Sequence, residues 1–291
     1  MREHRLINDE TPTGHTAPAG KPLFIREPRK PSAGVNLREL WGHRELLYFL
    51  AWRDVKVRYK QTLLGVAWAV IQPLLTMVIF TFFFGRLLAP MTGGVPYPLF
   101  AYAGLMLWTF FSNTAINSSN SLVANTSLIT KVYFPRILIP AAAVGAGLVD
   151  LFFASLMLLG LLTYFGGRLT WGVLLIPILI LFLFLLALGV GVWMSALNIK
   201  YRDVRHAFPF LAHLSLFLSP VTFPSDVVEG RWRAALMLNP LTGIIENFRS
   251  ALYGLEFDWP SLMVSAAITL ALLAYSSYKF QKTEQGFADV I

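Results

Sequence analysis

The 291-residue sequence contains no cysteine. Disulfides, thiolate metal sites and cysteine nucleophiles are thereby excluded, and the redox compartment cannot be read. Charge is scarce as well: Lys, Arg, Asp and Glu make up 14% of the chain, and the 16 acidic residues leave little material for paired-carboxylate chemistry. Neither an HExxH zinc motif nor a nucleophile elbow is present. The nearest approach to a phosphate-binding loop is Gly14 to Lys21. There five residues separate Gly14 from Gly20, Pro22 stands where Ser or Thr would ligate magnesium, and no helix-forming run follows. The sequence therefore predicts no covalent chemistry, no metal and no cofactor.

What the chain has in abundance is apolar sequence: 56% of residues are hydrophobic and the mean hydropathy is +0.59. A soluble domain of this length rarely has such values, which mark a polytopic membrane protein. A bilayer core needs about twenty apolar residues per helix. Apolar runs of that length, each with at most one charged residue, fall at 63 to 88, 98 to 119, 137 to 163, 171 to 197 and 260 to 280. A sixth run, 206 to 223, carries His206, Pro209, His213 and Pro220, and reads as either a kinked span or a half-span. The predicted fold is all-α, with six transmembrane helices. The formal charge of +8 is spread between apolar segments rather than gathered in one patch, which points to the membrane surface and away from nucleic acid.

Charge also predicts orientation. The stretch Arg53-Asp54-Val55-Lys56-Val57-Arg58-Tyr59-Lys60-Gln61 abuts a long uncharged run, as at the point where a chain leaves a watery surface for lipid. With six spans, nineteen Lys and Arg fall on the side of the amino terminus and five, Arg86, Arg168, Arg231, Arg233 and Arg249, on the other. Restricted to short loops and the tail the count is seven against five, and the run at Arg53 to Lys60 restores the bias that places both termini in the cytoplasm. The opening sixty residues predict no secretory signal.

Three regions follow. Residues 1 to 35, with Pro12, Pro18, Pro22, Pro28 and Pro31, read as a mobile arm. Residues 36 to 62 form an amphipathic interface segment. It opens on Asn36 and Glu39 in capping-box spacing, continues with Leu37, Leu40, Trp41, Leu47, Tyr48 and Ala51 at helical period, and serves as either an anchor or a docking helix. Residues 63 to 291 form the six-span domain. Within it, Asn239-Pro240 and Gly254 bracket a helix too short to span, either re-entrant or lying in the outer interface.

Functional candidates divide by chemistry. Asp150 and His213, each near the middle of a span, fit either a proton relay or one satisfied acid and one neutral core histidine. Ala141, Ala142, Ala143, Gly145, Ala146, Gly147, Gly189 and Gly191 predict close helix packing. Aromatic residues near the span ends belong either to lipid-facing belts or to a lining for sugar rings. The polar stretch Asn113 to Asn125 leads into Ser127 to Arg136, which reads as either an interfacial turn or a segment on which a soluble partner pushes.

Arg53 to Gly65 followed by Trp68 and Gln72-Pro73-Leu74, then Leu128 to Arg136, Asn198 to Asp203 and Asn239-Pro240-Leu241, resemble the permease subunits of ABC exporters for bacterial polysaccharides such as O-antigen, capsule and teichoic acid. The resemblance covers residues 36 to 291. It implies a homodimer of six-span permeases bound to two separate ATP-hydrolysing subunits, moving an undecaprenyl-linked glycan. It also implies contact with the ATPase through Arg38, Arg44, Ser127, Lys131, Tyr133 and Arg136, and a substrate path lined by Phe80, Phe83, Phe84, Trp108, Phe111 and Phe217. A type-two ABC permease for a lipid or drug shares fold and coupling but lacks the sugar channel. A proton-coupled transporter or membrane-embedded glycosyltransferase is the remaining alternative.

Overall fold

A computed structural model describes residues 41 to 284, apart from 61, 63, 133, 168 and 169. The amino-terminal arm, the Asn36 capping box, Arg38 and Tyr133 lie outside the described residues. Ten α-helices and no strand are found among those described. The helices are α1 (Arg44–Tyr59), α2 (Ala67–Leu88), α3 (Tyr97–Ala124), α4 (Thr126–Lys131), α5 (Leu138–Tyr164), α6 (Ile176–Lys200), α7 (Val204–Leu214), α8 (Arg231–Met237), α9 (Pro240–Tyr253) and α10 (Trp259–Glu284). Five segments, built on α2, α3, α5, α6 and α10, are long and apolar enough to cross a membrane.

Helix α3 is the centre of the bundle. Twenty of its 28 residues are buried, and small side chains let its neighbours come close. A methyl on Gly147 of α5 would overlap Thr114, and one on Gly191 of α6 would overlap Ser118, so both spans seat directly on α3. Hydrogen bonds fix the register: Ser118 Oγ donates to the Pro140 carbonyl at 3.1 Å, and Asn198 Nδ2 donates to the Ser119 carbonyl at 2.9 Å. The polar stretch Asn113 to Asn125 is therefore not a loop. It continues α3 for about three more turns, to Ala124, with Ser118, Ser119 and Ser121 buried in the bundle.

The sixth run, 206 to 223, is not one long helix. Helix α7 has 11 residues, and turns follow through Thr222. The chain nonetheless runs the length of α3. Near its start Asn198 bonds Ser119, then Trp108 Nε1 donates to Ser215 Oγ at 3.0 Å, and finally the Tyr97 hydroxyl donates to the Thr222 carbonyl at 3.0 Å. From Ser119 to Tyr97 is about 33 Å at 1.5 Å per residue. This segment is a broken helix, and its freed carbonyls require donors from elsewhere.

Arg249 supplies them. Its Nη1 donates to the Pro220 carbonyl at 2.7 Å, Nη2 to the Val221 carbonyl and Nε to the Phe100 carbonyl at 3.2 Å. The guanidinium lies 3.5 Å from the Phe100 ring centroid and 3.7 Å from Glu246 Oε1. It is 0% exposed, which corrects its place among the residues of the outer loop. Gly104 makes the room, since a methyl there would overlap both Arg249 and the Val221 carbonyl. Helix α9, which carries Arg249, buries eleven of its 14 residues and packs among the ends of α3, α6 and α10. It is packed into the end of the bundle rather than laid on its surface. Asn239 caps it by accepting from the Leu241 amide at 3.0 Å, and Gly254 ends it in the left-handed conformation at φ 73°.

Helix α1 extends to Tyr59, so most of the charged motif is helical. Leu46, Leu47, Leu50 and Ala51 pack it against Ile129, Phe134, Leu138, Ile139 and Ala142. Trp41, Tyr48, Phe49 and Trp52 remain exposed on its other side. The first span, α2, is the least attached, with Pro73 and Met77 its two buried residues.

Candidate functional site

A cavity of about 240 Å³, part polar and part apolar, opens where the end of α1 and the start of α2 meet α3 and α5. It exists because the charged motif does not stop at the edge of the bundle. Continuing the apolar period of α1 from Leu47 through Leu50 and Ala51 puts Asp54 and Arg58 on the same face, and Arg58 reaches Asp150 of α5, forming an ion pair and a hydrogen bond to Oδ2. Asp150 is about 18 Å along α5 from Leu138. A carboxylate at that depth costs several kcal/mol unless a cation meets it, and Arg58 is that cation. The chain then turns through Gly65, at φ 52°, and enters α2.

The walls set the polar groups of Tyr59, Gln72, Asn113, Asn117 and Asp150 beside the apolar and aromatic side chains of Trp68, Met106, Phe110 and Leu151. Pro73, which interrupts the hydrogen-bond ladder of α2, and Ala69 four residues earlier also border it. Two buried polar atoms, the Tyr59 hydroxyl and Asp150 Oδ1, have no hydrogen-bond partner.

Asp150 and His213 do not form a relay. Asp150 pairs with Arg58, while His213 is exposed, with its ring 6.1 Å from Trp108 and Nδ1 2.6 Å from the Pro209 carbonyl. Sequence reasoning quoted Arg58, Trp68 and Gln72 as parts of a motif without assigning them a site, and missed Asn113 and Asn117. The helical period of α1 was the signal available for Arg58.

The candidate coupling residues lie along one end of the bundle. Arg44 opens α1, exposed and 5.9 Å from the Trp41 ring. Ser127 and Lys131 are exposed on α4, which Ile129 anchors in the same apolar cluster that holds Leu50. Arg136 is different: it is half-buried, its Nη1 donates to the Glu284 carbonyl at 3.2 Å, and its amide donates to Glu284 Oε1 at 3.3 Å. It ties the α5 entry to the end of α10.

The six aromatics do not converge within one chain. Trp108 and Phe111 are core residues at 7% and 9% exposure, and Phe80 packs against that core with its ring 5.7 Å from Phe84. Phe83 and Phe217 face outward at 70% and 67%.

The sequence matches the family model described as ABC-2 type transporter over residues 45–253. It is 29% identical over 259 residues to an O-antigen export system permease protein of Myxococcus xanthus, covering 88% of this chain and 98% of that one. A protein of the same name from Klebsiella pneumoniae is 29% identical over 252 residues, 85% of this chain and 95% of the relative. The polysialic acid transport protein of Escherichia coli is 25% identical over 234 residues, 76% and 86% of the two chains. With a continuous match running from α1 to the end of α9, the chain belongs to the ABC-2 type transporter family.

Proposed function

We propose that this chain is the permease subunit of an ATP-driven exporter that moves a lipid-linked polysaccharide across the cytoplasmic membrane, with both termini in the cytoplasm. Relatives that cover nearly their whole length carry the names of O-antigen and polysialic acid transport. The observation that carries the reading is the state of α2. A spanning helix with two buried residues, whose Phe82, Phe83, Phe84 and Leu87 all face outward, is half of an unfinished wall. A second copy of the chain completes it, and Phe83, Phe84 and Phe217 then line the glycan path, with Phe80, Trp108 and Phe111 stiffening it from behind. Aromatic faces suit a moving sugar chain because stacking tolerates many ring orientations.

Energy comes from two separate ATPase subunits, which dock on the end formed by α1 and α4. Arg44, Ser127 and Lys131 present that face, and the exposed Trp41 and Trp52 hold α1 at headgroup level. The test is to copurify the chain with its ATPase and measure hydrolysis with and without lipid-linked glycan, alongside glycan on the surface of cells that carry or lack the chain. Stimulation by glycan and loss of surface glycan are expected. Stimulation by a lipid or drug alone assigns the chain to a different ABC-2 substrate class.

A further inference from the structure

We propose that the cavity between α1, α2, α3 and α5 is a subsite for one neutral, hydroxyl-rich sugar residue of the transported glycan; this rests on the exporter reading above. The charges argue for neutrality. Arg58, the cation in the cavity wall, is already paired with Asp150, so an entering anion meets a carboxylate as well as a guanidinium. The unpartnered atoms argue for hydroxyls. Asp150 Oδ1 is a buried acceptor in need of a donor, and the Tyr59 hydroxyl can give or take a proton. A sugar hydroxyl supplies either role, whereas a fully ionised pyrophosphate has no proton to give Asp150.

The remaining polar groups fit the same ligand, and the apolar part of the wall, with Phe110 and Leu151, can take its C–H surface. The side-chain amides of Gln72, Asn113 and Asn117 each present both a donor and an acceptor, the complement of a ring bearing several hydroxyls, and Trp68 offers an apolar plane for the C–H face. At about 240 Å³ the space falls below the roughly 300–1,000 Å³ usual for drug-sized ligands. It holds one residue of a chain rather than a whole amphipathic molecule. Its position at the root of α2 puts it beside the proposed path, on the ATPase side.

Because the chain has no cysteine, single thiols can be placed without background. Asn117→Cys and, separately, Asn113→Cys are prepared in the full chain with its ATPase, in membranes from cells that make the glycan and from cells in which its synthesis is blocked. The rate of labelling by a small methanethiosulfonate is measured, with Thr163→Cys at the opposite end of α5 as control. Glycan is expected to slow labelling at both cavity positions several-fold and to leave Thr163→Cys unchanged. Inorganic pyrophosphate added to glycan-free membranes is expected to have no effect. Equal rates with and without glycan mean a cavity that holds solvent alone and overturn the proposal, and slowing by pyrophosphate overturns it in favour of a phosphate headgroup. Surface glycan in the same cells separates the two readings. Normal export with unprotected thiols refutes the subsite only, whereas export that does not depend on the chain refutes the exporter.

Discussion

Arg249 Nη1 donates to the Pro220 carbonyl at 2.7 Å, joining helix α9 to the point where the chain after α7 has ceased to be helical. The same guanidinium reaches Val221 and Phe100, so one side chain satisfies three carbonyls from two elements. Buried carbonyls without donors are costly, and so is Glu246 without its cation.

Arg249→Met is therefore expected to lower stability by about 3–5 kcal/mol, the range for removing one partner of a buried pair. Thermal unfolding of the purified protein measures it. Arg249→Lys recovers only part of the loss, because an ammonium lacks the planar fork that serves three acceptors. Equal stability of wild type and Arg249→Met would show that the broken segment is held by other contacts.

Arg58 and Asp150 are coupled across 92 residues of sequence. Arg58→Gln leaves Asp150 as an unpaired charge within the bundle, and the double change with Asp150→Asn replaces an ion pair by two amides. The single change is expected to cost about 1–3 kcal/mol, and the double change less than the sum of the two singles. A double-mutant cycle on unfolding midpoints gives the coupling, and simple additivity would deny it.

Lys131 and Arg136 separate two effects that the sequence places together. Lys131 is exposed, so Lys131→Glu is expected to weaken copurification of the ATPase while leaving the melting temperature within a degree or two. Arg136→Glu breaks the tie to Glu284 and is expected to lower the melting temperature itself. If Lys131→Glu leaves the ATPase bound and export intact, α4 is not a coupling segment.

Gly147 has no room for a methyl beside Thr114. Gly147→Ala is expected to destabilise by about 1–3 kcal/mol through overpacking, and adding Thr114→Ser, which removes the clashing methyl, to restore part of it. Unfolding curves of the two variants decide this, and an unchanged Gly147→Ala would mean that α3 and α5 can separate freely.

The spans were legible in the sequence wherever a long uncharged run left no other solution, and α9 was legible because Asn239-Pro240 and Gly254 are strong end signals. Other features depend on contacts between distant residues. Asn113 to Asn125 has the composition of a loop, yet Ser118, Ser119 and Ser121 are helical and buried in the bundle. The run at 206 to 223 carries two prolines, and the carbonyls of Pro220 and Val221 are met by Arg249, which lies 29 and 28 residues further along the chain in a separate short helix. Likewise, Asp150 announced a need for a partner without naming it, and only the fold brings Arg58 there. The aromatics fared least well, since sequence alone does not distinguish Trp108, which is core, from Phe83, which is not.

Cohesion is unevenly distributed along this chain. Helix α3 buries twenty residues and α2 buries two, so their resistance to displacement differs by far more than their similar lengths suggest. Helix α1 is pinned through Leu50 and the Arg58 pair, whereas α2, which follows the turn at Gly65, buries little of its own surface against the rest of the chain. The helix least held by its own chain is thus the one that carries Phe82, Phe83 and Phe84, and its place depends on what lies against it from outside far more than that of α3 does.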